Sequence, residues 1–225
     1  MDNNKIHIIF PKDESTNFLQ EIIDYLIDEV DANLKVHRLE TAKEHDRLLS
    51  NIDEDIPEGS LIIFMAHGTS TAISGASTSD YSHPDALIQN EQLSVFKNRK
   101  VVLLTCRSNE YLKTYFNECN LSAAIGFPNL ITDDLELVYP EQPERVSGVS
   151  KSDIIAFREL LVGLIKFSVE DLIKYDLPFY QLYTRIQTRV QRALAIFYEE
   201  QPGNTLLPLG KMIYDLNKGL CCFGN

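Results

Sequence analysis

Residues 61–68 read LIIFMAHG, a run of five apolar residues followed closely by His67. A second run of the same kind, VVLLTCRS at 101–108, places Cys106 at the corresponding point. Short apolar runs without polar alternation are typical of strands buried on both faces, as in the centre of a parallel sheet covered by helices. Both runs therefore predict central strands, each ending next to a side chain capable of chemistry.

The flanking segments extend this pattern. Residues 5–10 (KIHIIF) predict another strand, 34–39 (LKVHRL) an edge strand, and 123–127 (AAIGF) a weaker central one. Helices are predicted at about 18–30, with Ser15 or Thr16 as N-cap, and at 41–49, 86–96 and 109–119. Strands alternating with helices favour an α/β fold, a three-layer α/β/α sandwich with a mostly parallel central sheet.

The C-terminal part is helical. Two amphipathic helices are predicted at about 152–174 and 179–200, and a short one at 211–218. A length of 225 residues fits one domain, with a sheet core in residues 1–130 and a helical portion in residues 150–225.

Composition and charge narrow the function classes. With 21 Lys+Arg against 33 Asp+Glu, the formal net charge is −12, which disfavours direct binding to nucleic acid or to anionic membranes. The four cysteines form no CxxC pair and no zinc-finger spacing, so no metal or cofactor is expected. Residues 1–14 show no signal-peptide pattern, and we expect a cytoplasmic protein with reduced thiols.

His67 and Cys106 are the strongest catalytic candidates. Parallel strands that are neighbours bring their carboxyl ends to one edge of the sheet, where catalytic groups gather. A thiol needs an imidazole within reach to become an effective nucleophile at neutral pH. Ser108 is expected to cap the helix that follows, which places Cys106 at a helix N-terminus. The backbone N–H groups of Gly68 and Cys106 form a candidate oxyanion hole.

Each residue also has a structural interpretation. A cysteine after an apolar strand is often a small buried hydrophobe, and a histidine before glycine is often an ordinary strand end. Their coincidence at the ends of two adjacent strands favours catalysis. The remaining histidines and cysteines are expected to be structural: His7, His37, His45 on a surface helix, His83 in a polar loop, Cys119 in the core, and Cys221 and Cys222 in the tail.

LIIFMAHG followed by VVLLTCRS resembles the caspase-like superfamily of cysteine peptidases, and most closely the bacterial CHAT-domain group. The resemblance covers roughly residues 5–130. It implies that Cys106 is the nucleophile, that His67 is the general base and that Gly68 contributes to the oxyanion hole. It also suggests a protein substrate encoded beside this chain, a regulatory protein partner and a bacterial conflict or antiviral defence setting.

The sequence departs from that family at informative positions. The caspase pentapeptide QACRG is here LTCRS, which keeps Cys-Arg and loses the Gln and the Gly. Metacaspases carry an acid two residues before the cysteine, where this chain has Leu104. Leu104 and Thr105 are thus expected to form an uncharged wall of the substrate pocket, while Asp133 and Asp134 either hold a basic substrate side chain or belong to a solvated turn.

The sequence therefore predicts a cysteine endopeptidase that works through an acyl-enzyme. One alternative is a catalytically silent binding or scaffold module on the same fold. Another is a receiver-like or flavodoxin-like signalling domain. Against this last alternative, the first strand ends in Pro11-Lys12 without an acidic pair, and no phosphate-binding glycine loop is present.

Overall fold

A six-stranded sheet forms the centre of the protein. The computed structural model describes residues 6–30, 34–82, 86–133, 148–200 and 207–224. The strands of the sheet are β1 (Ile6–Pro11), β2 (Leu34–Leu39), β3 (Leu61–Met65), β6 (Lys100–Leu104), β7 (Ala123–Gly126) and β8 (Cys221–Gly224), in the spatial order β2-β1-β3-β6-β7-β8. A separate hairpin contains β4 (Ala72–Ser74) and β5 (Ala86–Gln89).

All neighbours in the sheet run parallel except β7 and β8. The predicted edge position of β2 is confirmed. In the centre, β3 and β6 pair in register, with Met65 opposite Leu104. The carboxyl ends of these two strands are therefore level at one edge of the sheet.

Helices cover both faces of this sheet. They are α1 (Gln20–Asp28), α2 (Ala42–Ser50), α3 (Ile52–Asp55), α4 (Ser108–Tyr115), α5 (Lys151–Lys174), α6 (Phe179–Glu200) and α7 (Pro208–Gly219). Alternate strand residues point to opposite faces: Ile63 and Val102 pack in a core with α1, α5, α6 and α7, whereas Ile62 and Val101 pack with α2, α3 and α4. The predicted α/β sandwich with a mostly parallel sheet is thus confirmed.

The segment 86–96 differs from the predicted helix. Its first four residues form β5, which pairs antiparallel with β4, and Asn90–Phe96 form a 3-10 helix. Gln89 and Gln92 make a capping box that starts this short helix. The connection from β3 to β6 is therefore a hairpin and a 3-10 helix, because strand pairing with β4 outweighs the helical propensity of this segment.

His45 is fully buried, which corrects its predicted place on a surface helix. Its Nδ1 lies 2.6 Å from the Thr41 carbonyl, and the Ala76 N–H donates to its Nε2 at 3.0 Å. An Nε2 that accepts a hydrogen bond belongs to a neutral imidazole whose proton is on Nδ1. The side chain thereby ties the loop after β4 to the start of α2.

Arg99, directly before β6, carries a buried guanidinium group. Its side chain is 0% exposed. Nε donates to the Ile56 carbonyl at 2.9 Å, and Nη1 donates to the Lys97 carbonyl at 3.0 Å. Nη2 reaches Asp53 at 2.8 Å. Arg99 thus satisfies backbone carbonyls at the amino end of β6, opposite the edge that bears His67 and Cys106.

Cys221 and Cys222, predicted to lie in a tail, belong to the last strand of the sheet. In the structure β8 pairs with β7, with Cys222 opposite Ile125. Among the described residues, no helix is both long enough and apolar enough to span a membrane.

Candidate active site

His67 and Cys106 lie at one edge of the sheet. Each follows its strand by two residues, His67 after Met65 in β3 and Cys106 after Leu104 in β6. Because these strands are parallel neighbours in register, both side chains reach the same place. They line a common cavity of about 20 Å³. This is the arrangement that the two apolar runs predict.

A tight turn holds Cys106 at the start of α4. Arg107 has φ 57°, in the left-handed region that costs a non-glycine residue about 1 kcal/mol or more. Its N–H donates to the Pro128 carbonyl at 3.0 Å, and its side chain pairs with Glu110. Ser108 does not act as the predicted N-cap. It is the first residue of α4, and its hydroxyl donates to the Leu103 carbonyl at 2.7 Å.

The Cys106 thiol donates a hydrogen bond to the Leu130 carbonyl at 3.2 Å. Leu130 belongs to the extended segment after β7, whose neighbouring carbonyls are also held. The carbonyl of Thr132 accepts from Arg158 Nε at 2.6 Å. Leu130 and Thr132 both line the cavity that His67 and Cys106 share. This segment therefore forms one wall of the site and engages the thiol directly.

His67 is held by two residues that the sequence analysis missed as site residues. Its Nε2 is hydrogen-bonded to the Ser15 hydroxyl and lies 3.5 Å from Asp13 Oδ1. Asp13 Oδ1 also accepts from the Ser15 N–H at 2.9 Å and from its hydroxyl at 2.6 Å. Ser15 was a candidate N-cap. It instead belongs to the loop after β1, the strand that neighbours β3 on its other side.

Gly68 sits where a side chain would not fit. A Cβ at this position would lie 2.8 Å from Thr105 Oγ1 and 3.2 Å from the Ala72 carbonyl oxygen. The adjacent backbone bonds, from Thr69 N–H to the Ala72 carbonyl and from Ser74 N–H to the His67 carbonyl, do not use the Gly68 N–H. The space around residue 68 therefore excludes a side chain, and the oxyanion role of Gly68 stays a prediction.

The residues predicted to bind substrate divide between two spaces. Leu104 and Thr105 line the small cavity with Cys106. Asp133 lines an open cleft of about 640 Å³ on the other side of His67, together with Asp13 and Glu14. Asp134 lies outside the described residues, as does His83.

The other three cysteines are poor nucleophiles in the structure. Burial raises the pKa of the Cys221 thiol to about 11. Burial also raises the pKa of Cys222 and of Cys119, and the neighbouring Glu118 carboxylate adds to the effect on Cys119. Because the thiolate is the reactive form, these groups react slowly near neutral pH.

The raised pKa of the Cys221 thiol predicts that alkylation of this cysteine is slow. At pH 8, a thiol with a pKa near 11 is ionised in roughly one molecule per thousand. Cys106 shares a cavity with the His67 imidazole, and we expect iodoacetamide at pH 8 to modify it before Cys221, as measured by peptide mass spectrometry over time. Raising the pH toward 11 should bring Cys221 into the labelled set. Labelling of Cys221 at pH 8 as fast as Cys106 would contradict this expectation.

Two arginines of α6 pair with an aspartate of the neighbouring helix α5. Of the arginines on α6, Arg189 and Arg185 reach Asp171 of α5, at 2.8 and 3.8 Å, and so contribute to the packing of these two helices. Within the described ranges, no group of three His, Cys, Asp or Glu side chains is arranged to hold a metal ion.

Comparison with known proteins adds no assignment, since no protein-family model and no curated protein matches the sequence.

Proposed function

We propose that the protein is a cysteine endopeptidase with Cys106 as nucleophile and His67 as general base. The observation that carries the proposal is their placement after neighbouring parallel strands, on one cavity. A thiol becomes a strong nucleophile at neutral pH when an imidazole accepts its proton. The resemblance of residues 61–68 and 101–108 to caspase-like peptidases supports the same pair.

The proposed reaction proceeds by acyl transfer. His67 accepts the thiol proton, and Cys106 Sγ bonds to the scissile carbonyl carbon as the π electrons move to oxygen. The Gly68 and Cys106 N–H groups stabilise that oxyanion. Its collapse breaks the C–N bond, and the leaving amine takes the proton from His67. Water then attacks the thioester, releasing a carboxylic acid and restoring the thiol.

The space beside Cys106 is narrow in the described conformation. A cavity of about 20 Å³ has room for about one water molecule and not for a peptide. Reaction requires the wall at Leu130 to move and the thiol to turn from the Leu130 carbonyl toward His67. A cavity too small for a peptide also favours a second candidate function. This candidate is a binding or scaffold module in which His67 and Cys106 do no chemistry.

Acylation by p-nitrophenyl acetate separates the two candidates. For a peptidase, we expect a burst of about one p-nitrophenolate per chain, because acylation precedes slower hydrolysis of the thioester. His67→Ala should slow the burst about 10²-fold or more, the range of general-base catalysis. Cys221→Ala is the matched control and should keep it. No burst from the intact protein, or a burst indifferent to His67→Ala, would contradict the proposal.

The proposal extends to the setting of the reaction. Leu104, Thr105 and Asp133 are the residues proposed to contact the substrate. The substrate is a protein, and the reaction takes place in the cytoplasm, where thiols stay reduced. A partner encoded beside this chain serves as substrate or regulator, in a bacterial conflict or regulated-proteolysis role.

A further inference from the structure

The hydrogen bonds around Ser15 fix where its single hydroxyl hydrogen lies. Asp13, as a carboxylate, has no hydrogen to give, so the 2.6 Å contact between Ser15 Oγ and Asp13 Oδ1 is donated by Ser15. The Ser15 N–H points to the same carboxylate oxygen at 2.9 Å. Two donors from one residue hold Asp13 in place, and the hydroxyl hydrogen is committed to it.

The remaining contact of Ser15 then assigns the tautomer of His67. Since the hydroxyl hydrogen is used, Ser15 Oγ accepts the hydrogen bond from His67, and Nε2 must carry the proton. In a neutral imidazole this leaves the lone pair on Nδ1. Nδ1 is therefore the nitrogen able to accept a proton from the thiol.

We infer that Ser15 and Asp13 are positioning residues that act on Cys106 through His67. They hold the imidazole in the Nε2–H tautomer and orient it between the open cleft and the small cavity, both of which His67 lines. This inference rests on the proposed function, since it assigns these residues a part in the same reaction.

The carboxylate has a second effect once the thiol proton is transferred. The imidazolium keeps its Nε2–H toward Ser15, with Asp13 Oδ1 3.5 Å from Nε2. The Asp13 side chain is 16% exposed and that of His67 is 34% exposed, so solvent from the open cleft screens part of this attraction. The Asp13 carboxylate therefore lies beside the positive charge that His67 gains in the proposed proton transfer.

The same contacts argue against Ser15 as a nucleophile. A serine nucleophile donates its hydroxyl hydrogen to the histidine that activates it. Here the hydrogen is donated to Asp13, and Ser15 receives one from His67.

Nuclear magnetic resonance of histidine-labelled protein tests the tautomer without relying on activity. The ring ¹⁵N and ¹³C shifts of His67, assigned with His67→Ala, should show an Nε2–H neutral form in the intact chain. Ser15→Ala should replace this signature by a mixture of tautomers. An Nδ1–H form in the intact chain, or no change on Ser15→Ala, would overturn the inference.

Kinetics of the p-nitrophenyl acetate burst test the consequence. Ser15→Ala should slow acylation about 10- to 100-fold, part of the total general-base contribution of about 10²- to 10⁴-fold. Ser15→Thr, which keeps the hydroxyl, should restore most of the rate. Asp13→Asn keeps the shape and an acceptor oxygen but removes the charge, and should also slow the burst. Melting temperatures check that each variant is folded.

The outcomes separate this inference from the proposed function. A burst that depends on Cys106 and His67 but is unchanged by Ser15→Ala and Asp13→Asn supports the peptidase and overturns the positioning role of Ser15 and Asp13. The Nε2–H signature without any burst supports the assigned tautomer of His67 and contradicts the proposed peptidase activity. Modification of Ser15 by a fluorophosphonate in Cys106→Ala protein would make Ser15 a nucleophile and overturn its positioning role.

Discussion

Replacing Cys106 with alanine should abolish peptidase activity and the acylation burst while leaving the fold intact. Alanine offers no nucleophile, so the rate should fall at least about 10³-fold, within the range seen when a catalytic nucleophile is removed. The thiol hydrogen bond to the Leu130 carbonyl, which this variant loses, lies at the edge of the sheet and not in its core. Circular dichroism and the thermal midpoint should therefore match those of the unmodified protein.

Cys119→Ala is the opposite control. Cys119 is fully buried in the core behind β6, and its thiol donates to the Glu91 carbonyl at 3.5 Å. We expect this change to lower the free energy of unfolding by about 1 kcal/mol and to leave the burst per folded molecule unchanged. Normal turnover by Cys106→Ala would show that the proposed mechanism is wrong.

The largest expected effect on stability is at Arg99. Arg99→Leu removes every donor that the buried guanidinium gives to the Ile56 and Lys97 carbonyls. A buried carbonyl left without a donor costs about 1–3 kcal/mol. Ile56 is fully buried whereas Lys97 is exposed, and we therefore expect the free energy of unfolding to fall by about 1–3 kcal/mol, a sizeable part of the ~5–15 kcal/mol typical of a domain. Urea unfolding at 25 °C measures this loss.

Two further variants separate the ion pair of Arg99 from its hydrogen bonds to backbone carbonyls. Asp53, the ion-pair partner, has a side chain that is 67% exposed, so Asp53→Asn should shift the urea midpoint only slightly. Arg99→Lys keeps the charge but lacks the planar fork that reaches several carbonyls, and should lie between Arg99→Leu and the unmodified protein. If Asp53→Asn lowers the free energy of unfolding as much as Arg99→Leu does, the ion pair and not the carbonyl contacts stabilises this part of the fold.

The sheet, and the edge of it that bears His67 and Cys106, could be predicted because their signal is local. The apolar run at 61–65 is a strand over those same residues, and 179–200 is a helix with the predicted bounds. Strand ends then follow from the parallel arrangement, which places His67 and Cys106 together.

The partners of these residues could not be predicted, because they depend on distant contacts. Ser15 and His67 are 52 residues apart and share no motif, and nothing local distinguishes Ser15 from a helix cap. Residues 86–89 became a strand only because β4 pairs with them. His45 is buried because the loop at Ala76 folds over it, a contact 31 residues away along the chain.

The pairing of β7 with β8 also determines when the central sheet can be completed during synthesis. Cys221 contacts the carbonyl of Gly126, which lies 95 positions earlier in the chain. During synthesis, β3, β6 and β7 leave the ribosome well before β8, so the outer side of β7 stays open meanwhile. Long-range pairing of this kind forms late, since the entropy of a large loop must be overcome first. A nascent chain that already contains both His67 and Cys106 therefore lacks a finished sheet, and we expect the proposed peptidase activity only after β8 has docked.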